Sequence, residues 1–154
     1  MLTEEEQKEI EEGAPAYPNR QALAIDALKI VQRHRGWISD VSLREIAEFL
    51  NISTTELDSI ATFYNLIFRR PVGRHVILMC DSVSCWIMGC TGLREQLNKH
   101  LGIGLGQTTQ NNRFTLLPIV CLGCCDRAPA MMIDDDLHGN VDPQKIDAVL
   151  EKYQ

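Results

Sequence analysis

The strongest constraint on the fold lies in the second half of the chain, where one helix separates two strands. The apolar run "HVILM" at 75–79 and the run "RFTLLPIV" at 113–120 have the length and composition of buried strands. Between them, "GLREQLNKHLG" at 92–102 carries leucines at helical spacing. A strand, a helix and a strand in this order predict two parallel strands joined by a crossover helix. We therefore expect an α/β arrangement in this half.

Cysteines follow both predicted strands. Cys80 comes directly after the first strand and is followed by Cys85, and Cys121 comes directly after the second strand. Because parallel strands end at the same edge of a sheet, we expect these two loops to be neighbours. The second loop, "CLGCCD", has two interpretations. Cys121 with Cys124 has the spacing of a redox dithiol, whereas Cys121 with Cys125 would pair with Cys80 and Cys85 as a metal site.

Four thiolates on two adjoining loops can hold zinc or an iron–sulfur cluster. The spacing between Cys80 and Cys85 is long for zinc, and it suits a [2Fe–2S] cluster, in which each iron takes two thiolates. A reactive dithiol normally stands at a helix N-terminus, and Pro129 argues against a helix starting there. The cluster is the preferred interpretation. A zinc-stabilised interaction module and a thiol–disulfide oxidoreductase remain as alternatives.

The first 66 residues have the pattern of four helices with short connections. The capping-box spacing S/T-x-x-E occurs at Thr3–Glu6, Ser42–Glu45 and Ser53–Glu56, which predicts three helix starts. A fourth helix is expected from Asn19 to a stop before Gly36. Apolar residues recur at helical spacing in these segments, so we predict a small helical bundle.

A break separates this bundle from the α/β half. The stretch "FRRPVGR" at 68–74 contains Pro71 and Gly73, which interrupt regular structure. We therefore predict an N-terminal helical bundle at 1–70 and a second domain at 71–154. The basic side chains of this stretch are expected to favour docking on an acidic partner over merely keeping a linker soluble: Arg69, Arg70 and Arg74.

The C-terminal part of the chain adds further elements. "AMMID" at 130–134 is predicted as a third strand, and "GNV" at 139–141 as the opening of a short fourth strand. Asp142 is expected to cap a last helix that has Pro143 at its first position. Pro118 lacks a backbone donor, so it is expected at an edge or a bulge of the sheet.

Composition limits the function classes. The chain has 154 residues, 45% of them hydrophobic, and a net charge of -6, which is the opposite of the balance expected for a duplex-binding protein. No apolar run approaches the ~20 residues that span a membrane, and the acidic "MLTEEEQKEIEE" lacks the features of a signal peptide. We expect a cytoplasmic protein with reduced thiols, no nucleic-acid partner and no direct membrane insertion.

Other motifs add no catalytic constellation. The sequence has no Ser–His–Asp set, P-loop or G-x-G-x-x-G, so the chain is not expected to bind NADH or flavin itself. Cys90 is interpreted as a small buried apolar residue, and Cys124 as a spectator thiol. Trp86 is expected either to shield the cysteines or to pack half-buried at the sheet boundary.

Three stretches together resemble a known family: "ATFYNLIF" at 61–68, "CDSVSC" at 80–85 and "FTLLPIVCLGCCDRAP" at 114–129. They are similar to the family of the E subunit of NADH-quinone oxidoreductase, also called the thioredoxin-like ferredoxin family. The similarity runs from about residue 19 to residue 153. It implies a mixed fold of the α+β or α/β class, in which an N-terminal helical bundle precedes a thioredoxin-like [2Fe-2S] ferredoxin domain.

The resemblance also implies a cofactor and partners. It places a [2Fe–2S] cluster on Cys80, Cys85, Cys121 and Cys125. In the family this subunit docks on the subunit that binds FMN and oxidises NADH, and the cluster exchanges electrons with that flavin. The chain is then an electron-transfer subunit of respiratory complex I, without a complete active site, beside other peripheral-arm subunits on the cytoplasmic face of the membrane. The alternative is that the chain is the equivalent small subunit of an NAD-linked hydrogenase or formate dehydrogenase.

Overall fold

A computed structural model describes residues 1–153, which form two compact units. The units are Met1–Pro71 and Val72–Gln154. This division lies one residue from the boundary predicted from the sequence. That each unit is an independently folding domain stays a prediction.

The first unit contains four α-helices joined by short connections. They are α1 (Glu4–Gly13), α2 (Ala24–Arg35), α3 (Asp40–Leu50) and α4 (Thr54–Phe63), with 3-10 turns at Ala14–Ala16 and Arg20–Leu23. The number of helices agrees with the prediction. Their apolar faces share one core, because side chains at helical spacing, such as Leu28, Ile46 and Leu57, are fully buried.

Polar caps mark the starts of α1, α3 and α4. Thr3 and Glu6 form the predicted reciprocal capping box, and Ser53 accepts a hydrogen bond from the backbone of Glu56. The predicted start at Ser42 was wrong. Ser39 caps α3 instead, and its hydroxyl accepts from the Ser42 backbone N–H at 3.0 Å. The helix therefore starts one turn earlier and Ser42 is buried inside it.

Arg69 acts within the helical unit. Its guanidinium bonds Asp40 at 2.7 Å and Asp58 at 2.9 Å, and it also donates to the carbonyl of Ile38. These contacts tie the segment after α4 to the helices before it. The charge of Arg69 is therefore already paired within its own unit. The expectation that Arg69, Arg70 and Arg74 serve docking stays a prediction.

The second unit is built on a five-stranded mixed sheet. Its strands are β1 (His75–Cys80), β2 (Gln107–Thr108), β3 (Phe114–Ile119), β4 (Met131–Ile133) and β5 (Asp136–His138), in the order β2-β3-β1-β4-β5. The central pair, β1 and β3, is parallel, as predicted, and the remaining pairs are antiparallel. The helices of this unit are α5 (Val83–Ile87), α6 (Cys90–Leu101) and α7 (Ile146–Leu150).

Two strands differ from the sequence-based expectation. The last strand lies at 136–138, and not at the predicted 139–141. Asp134 adopts a left-handed φ of 52° and forms a tight turn with Asp135, so the chain reverses earlier than predicted. The two-residue strand β2 was not predicted, because it exists only through its pairing with β3.

Pro118 lies where the prediction placed it, at a local edge. It faces Met79 of β1, but β2 pairs only with Thr115 and Leu116 of β3. Beyond those two residues, no strand pairs with β3 on the side of β2. The missing N–H of Pro118 therefore leaves no strand-pairing hydrogen bond unmade there.

Helices α6 and α7 complete the core of this unit. Leu93 and Leu97 of α6 are fully buried with strand residues, and Leu101 packs against them. Asp142 caps the last helical segment as predicted, through a 3-10 turn at Pro143–Lys145 that leads into α7. Among residues 1–153, no helix is long and apolar enough to cross a membrane.

Candidate metal centre

The parallel pairing brings the two cysteine loops to one edge of the sheet. Cys80 is the last residue of β1 and lies opposite Ile119, the last residue of β3. The Asp81 N–H continues this register by donating to the Ile119 carbonyl at 3.1 Å. Cys121 follows two residues later, so the predicted proximity of the loops is confirmed.

The first loop presents two buried thiols. It contains the short helix α5, which was not predicted and which carries Cys85. Cys80 and Cys85 are only 2% and 1% exposed. The Cys80 Sγ donates to the Val120 carbonyl at 3.0 Å, which links this loop directly to the second one.

The second loop presents two exposed thiols. The Sγ atoms of Cys121 and Cys125 lie 3.5 Å apart. Gly123, between them, has a left-handed φ of 72°, which turns the chain so that its N–H donates to the Cys121 Sγ at 3.3 Å. Cys125 then opens a 3-10 turn at Cys125–Arg127.

The two pairs differ in electrostatic environment. Burial, followed by the proximity of Cys80, raises the pKa of Cys85 to about 11. The Gly123 N–H, followed by the Cys125 thiol, lowers the pKa of Cys121. Hydrogen bonding to Cys121 in turn raises the pKa of Cys125. A negative charge is thus easier to place on the Cys121 sulfur than on the Cys85 sulfur.

This donor set fits a two-iron cluster. The thiols form two pairs, one from each loop, and Cys80 lies near enough to Cys85 and Cys121 to shift the pKa of both. In a [2Fe–2S] cluster each iron takes two thiolates, which matches a pairwise arrangement. Within residues 1–153, no three His, Cys, Asp or Glu side chains are placed to hold one metal ion.

The other two cysteines are buried in one small core cluster together with Cys80 and Cys85. Cys90, at the start of α6, is 4% exposed, and burial raises its pKa. Cys124 is also buried, with Ala128 and Ala130. A side chain at Gly139 would lie only 3.2 Å from the Cys124 Sγ, so that sulfur is packed against the turn after β5. The thiol beside Cys121 is therefore that of Cys125, and no α-helix begins at Cys121 as a dithiol site would require.

An apolar rim around the cysteines was missed by the sequence interpretation. Five large side chains from the two loops are between 58% and 70% exposed: Val83, Trp86, Ile87, Met88 and Val120. Of the two expectations for Trp86, half-buried packing was wrong, because the side chain is 65% exposed on α5. Shielding of the cysteines stays a prediction. The sequence contained a signal, since "VSCWIM" offers more apolar side chains than one face of a short helix can bury.

Comparison with known proteins connects this geometry to a family. A family model described as thioredoxin-like [2Fe-2S] ferredoxin matches residues 10–154. The E subunit of the NADH-quinone oxidoreductase of Pseudomonas aeruginosa is 50% identical over 153 residues, which are 99% of this chain and 92% of the relative. The protein of the same name from Escherichia coli is 48% identical over the same shares.

A solved structure is also similar. The NAD+-reducing [NiFe]-hydrogenase in its air-oxidized state matches with a TM-score of 0.71 and 28% sequence identity. The match covers 82% of this chain and 22% of the hydrogenase chain. In that hydrogenase, the part similar to this chain is thus one portion of a longer polypeptide.

Proposed function

Because the chain belongs to the thioredoxin-like [2Fe-2S] ferredoxin family, we propose that it is the small electron-transfer subunit of an NADH:quinone oxidoreductase. The cofactor of the family is a [2Fe–2S] cluster. The observation that carries the proposal is the pairing of four thiols at one sheet edge, in a chain about half identical to its NADH-quinone oxidoreductase relatives over nearly its full length.

We assign Cys80, Cys85, Cys121 and Cys125 as the ligands. The cluster, when bound, supplies a centre that takes up and releases one electron at a time. The protein holds one pair of sulfurs in a dry environment and the other pair at the surface. The Gly123 N–H directed at the Cys121 sulfur stabilises added negative charge and so favours the reduced state.

The apolar rim of Val83, Trp86, Ile87, Met88 and Val120 is the proposed docking surface for the partner. The proposed occupant is the flavin-bearing subunit that oxidises NADH, since electron exchange requires that the flavin approach the exposed thiols. In the NAD+-reducing hydrogenase, the part similar to this chain belongs to a longer polypeptide, which is compatible with a tight association of this kind. Exposed aromatic and aliphatic side chains of this kind are typical of the centre of an interface.

A second candidate function is that of the equivalent small subunit in an NAD-linked hydrogenase. The structural similarity to the NAD+-reducing enzyme favours this alternative. The full-length identity to the NADH-quinone oxidoreductase relatives favours the quinone-linked complex. In either case the chain contributes to an oxidoreductase as one subunit, with NADH and FMN bound by its partner. In the quinone-linked complex, we place it on the cytoplasmic face of the membrane.

Metal analysis with electron paramagnetic resonance tests the proposal. We expect two irons and two sulfides per anaerobically purified chain, and a paramagnetic signal after reduction with dithionite. With the flavin-bearing subunit added, NADH should produce the same signal. Ile87→Asp should weaken that association roughly tenfold, about 1.4 kcal/mol, whereas Val41→Asp, an exposed residue of the helical unit, should not. One zinc without sulfide would instead identify a structural module.

A further inference from the structure

The four proposed ligands differ sharply in access to solutes. Cys121 and Cys125 are exposed, whereas Cys80 and Cys85 are almost completely buried. The exposed sulfurs are 3.5 Å apart. A disulfide needs about 2.05 Å between its sulfurs, so a small movement of this surface loop would join them.

We propose that Cys121 and Cys125 of the cluster-free chain form a reversible disulfide with each other when they meet low-molecular-weight disulfides such as glutathione disulfide. The disulfide at this modification site would prevent the chain from binding iron until a dithiol reductant reduces it. The inference rests on the proposed function only in taking these two residues as cluster ligands.

The reaction balances without any further oxidant. One exposed thiol attacks the small disulfide, forms a mixed disulfide and releases one small thiol. The second cysteine then attacks the protein sulfur of that mixed disulfide and releases the other small thiol. Two cysteine thiols are oxidised, one disulfide is reduced to two thiols, and both protons end on the released thiols.

Burial selects this pair over the alternatives. Cys124 has the C-x-x-C spacing with Cys121, but its sulfur is packed against Gly139 and cannot meet a solute. Cys80 and Cys85 are similarly enclosed. The expected product is therefore one loop of five residues that contains a free, buried Cys124.

Mass spectrometry of the full-length, cluster-free chain tests this inference. The reduced chain is treated anaerobically with glutathione disulfide, denatured, alkylated and digested with trypsin. One tryptic peptide, 114–127, contains Cys121, Cys124 and Cys125. We expect this peptide to carry a single alkyl group, located by fragmentation on Cys124. Prior reduction with dithiothreitol should restore all three alkyl groups.

Two variants sharpen the result. Cys125→Ser should stop at a stable glutathione adduct on Cys121, whereas the matched Cys124→Ser should form the disulfide as the wild type does. Three alkylated cysteines in the treated wild type, a Cys121–Cys124 bond, or a bond from Cys121 to the 75–94 peptide would each overturn the inference. None of these results depends on iron, so a failure here is distinct from a failure of the proposed cluster function.

Discussion

At the scale of the residue, Cys124 and Cys125 are adjacent in the chain but lie in opposite environments. Cys125 is exposed and lies beside Cys121, whereas Cys124 is buried against the turn after β5. We expect Cys125→Ala to lose most of its iron and visible absorbance, because one iron would lack a thiolate. Cys124→Ala should retain two irons per chain and lose only about 1 kcal/mol of stability from the small buried group.

Iron content and absorption spectra of the two variants, purified in parallel, check this expectation. Thermal unfolding of each cluster-free form provides the control for misfolding. Full iron content in Cys125→Ala with loss in Cys124→Ala would exchange the two roles and contradict the assignment.

At the scale of the elements, one arginine joins three helices of the first unit. Arg35 of α2 bonds both carboxylate oxygens of Glu6 on α1 at 2.7 Å, and it bonds Glu45 on α3 at 2.8 Å. The Glu6 side chain is only 1% exposed. We expect Glu6→Gln to destabilise this unit by about 2 kcal/mol at neutral pH, because a charge-assisted bidentate contact is lost.

The pH dependence of the destabilisation by Glu6→Gln follows from the ionisation of the Glu6 carboxylate. The hydrogen bonds from Arg35 hold the pKa of Glu6 below its usual 4.5. A group with a lowered pKa stabilises the fold above its unfolded pKa and loses that contribution as pH falls through its folded pKa. The difference between wild type and Glu6→Gln should therefore be full at pH 7 and shrink below pH 4.5.

Urea titrations monitored by circular dichroism at several pH values measure this difference. Glu9→Gln is the matched control, since Glu9 pairs with Arg33 and His34 at a more exposed site. Glu9→Gln should lower the free energy of unfolding by no more than about 0.5 kcal/mol. An equal cost of Glu6→Gln at neutral and acid pH would show that packing, and not the ion pair, is what the substitution removes.

At the scale of the whole molecule, the proposed metal centre draws on only one of the two units. All six cysteines lie within Val72–Gln154. We expect a fragment of residues 72–154 to fold and to hold two irons and two sulfides per chain. Its sheet and core are complete without the four helices of the first unit. Fragment 1–71 should be helical and free of iron.

Metal analysis and circular dichroism of both fragments, with the full chain prepared alongside, measure this outcome. A fragment 72–154 that folds but holds no iron would show that the helical unit contributes to the metal centre. One that fails to fold would show that the predicted domain boundary is not a folding boundary.

Features that depend on local chemistry can be predicted from the amino-acid sequence alone. Capping residues such as Thr3 and Ser53, and leucines at helical spacing, are sufficient to predict helices, since these signals act within a few residues. The order strand, helix, strand was sufficient to predict a parallel β1–β3 pair. The cysteine loops were predicted to adjoin for the same reason.

Features that depend on partners distant in the chain become visible only in the folded protein. Gly73 was interpreted as a linker residue, yet it is buried, and a Cβ there would meet the backbone of Phe114 at 3.0 Å. Strand β2 exists because β3 lies beside it, and α5 turns its apolar side chains outward. The environments of Cys124 and Cys125 likewise follow from a loop that buries one sulfur and exposes the next. Burial and pairing arise between residues far apart in the chain, and local patterns do not specify them.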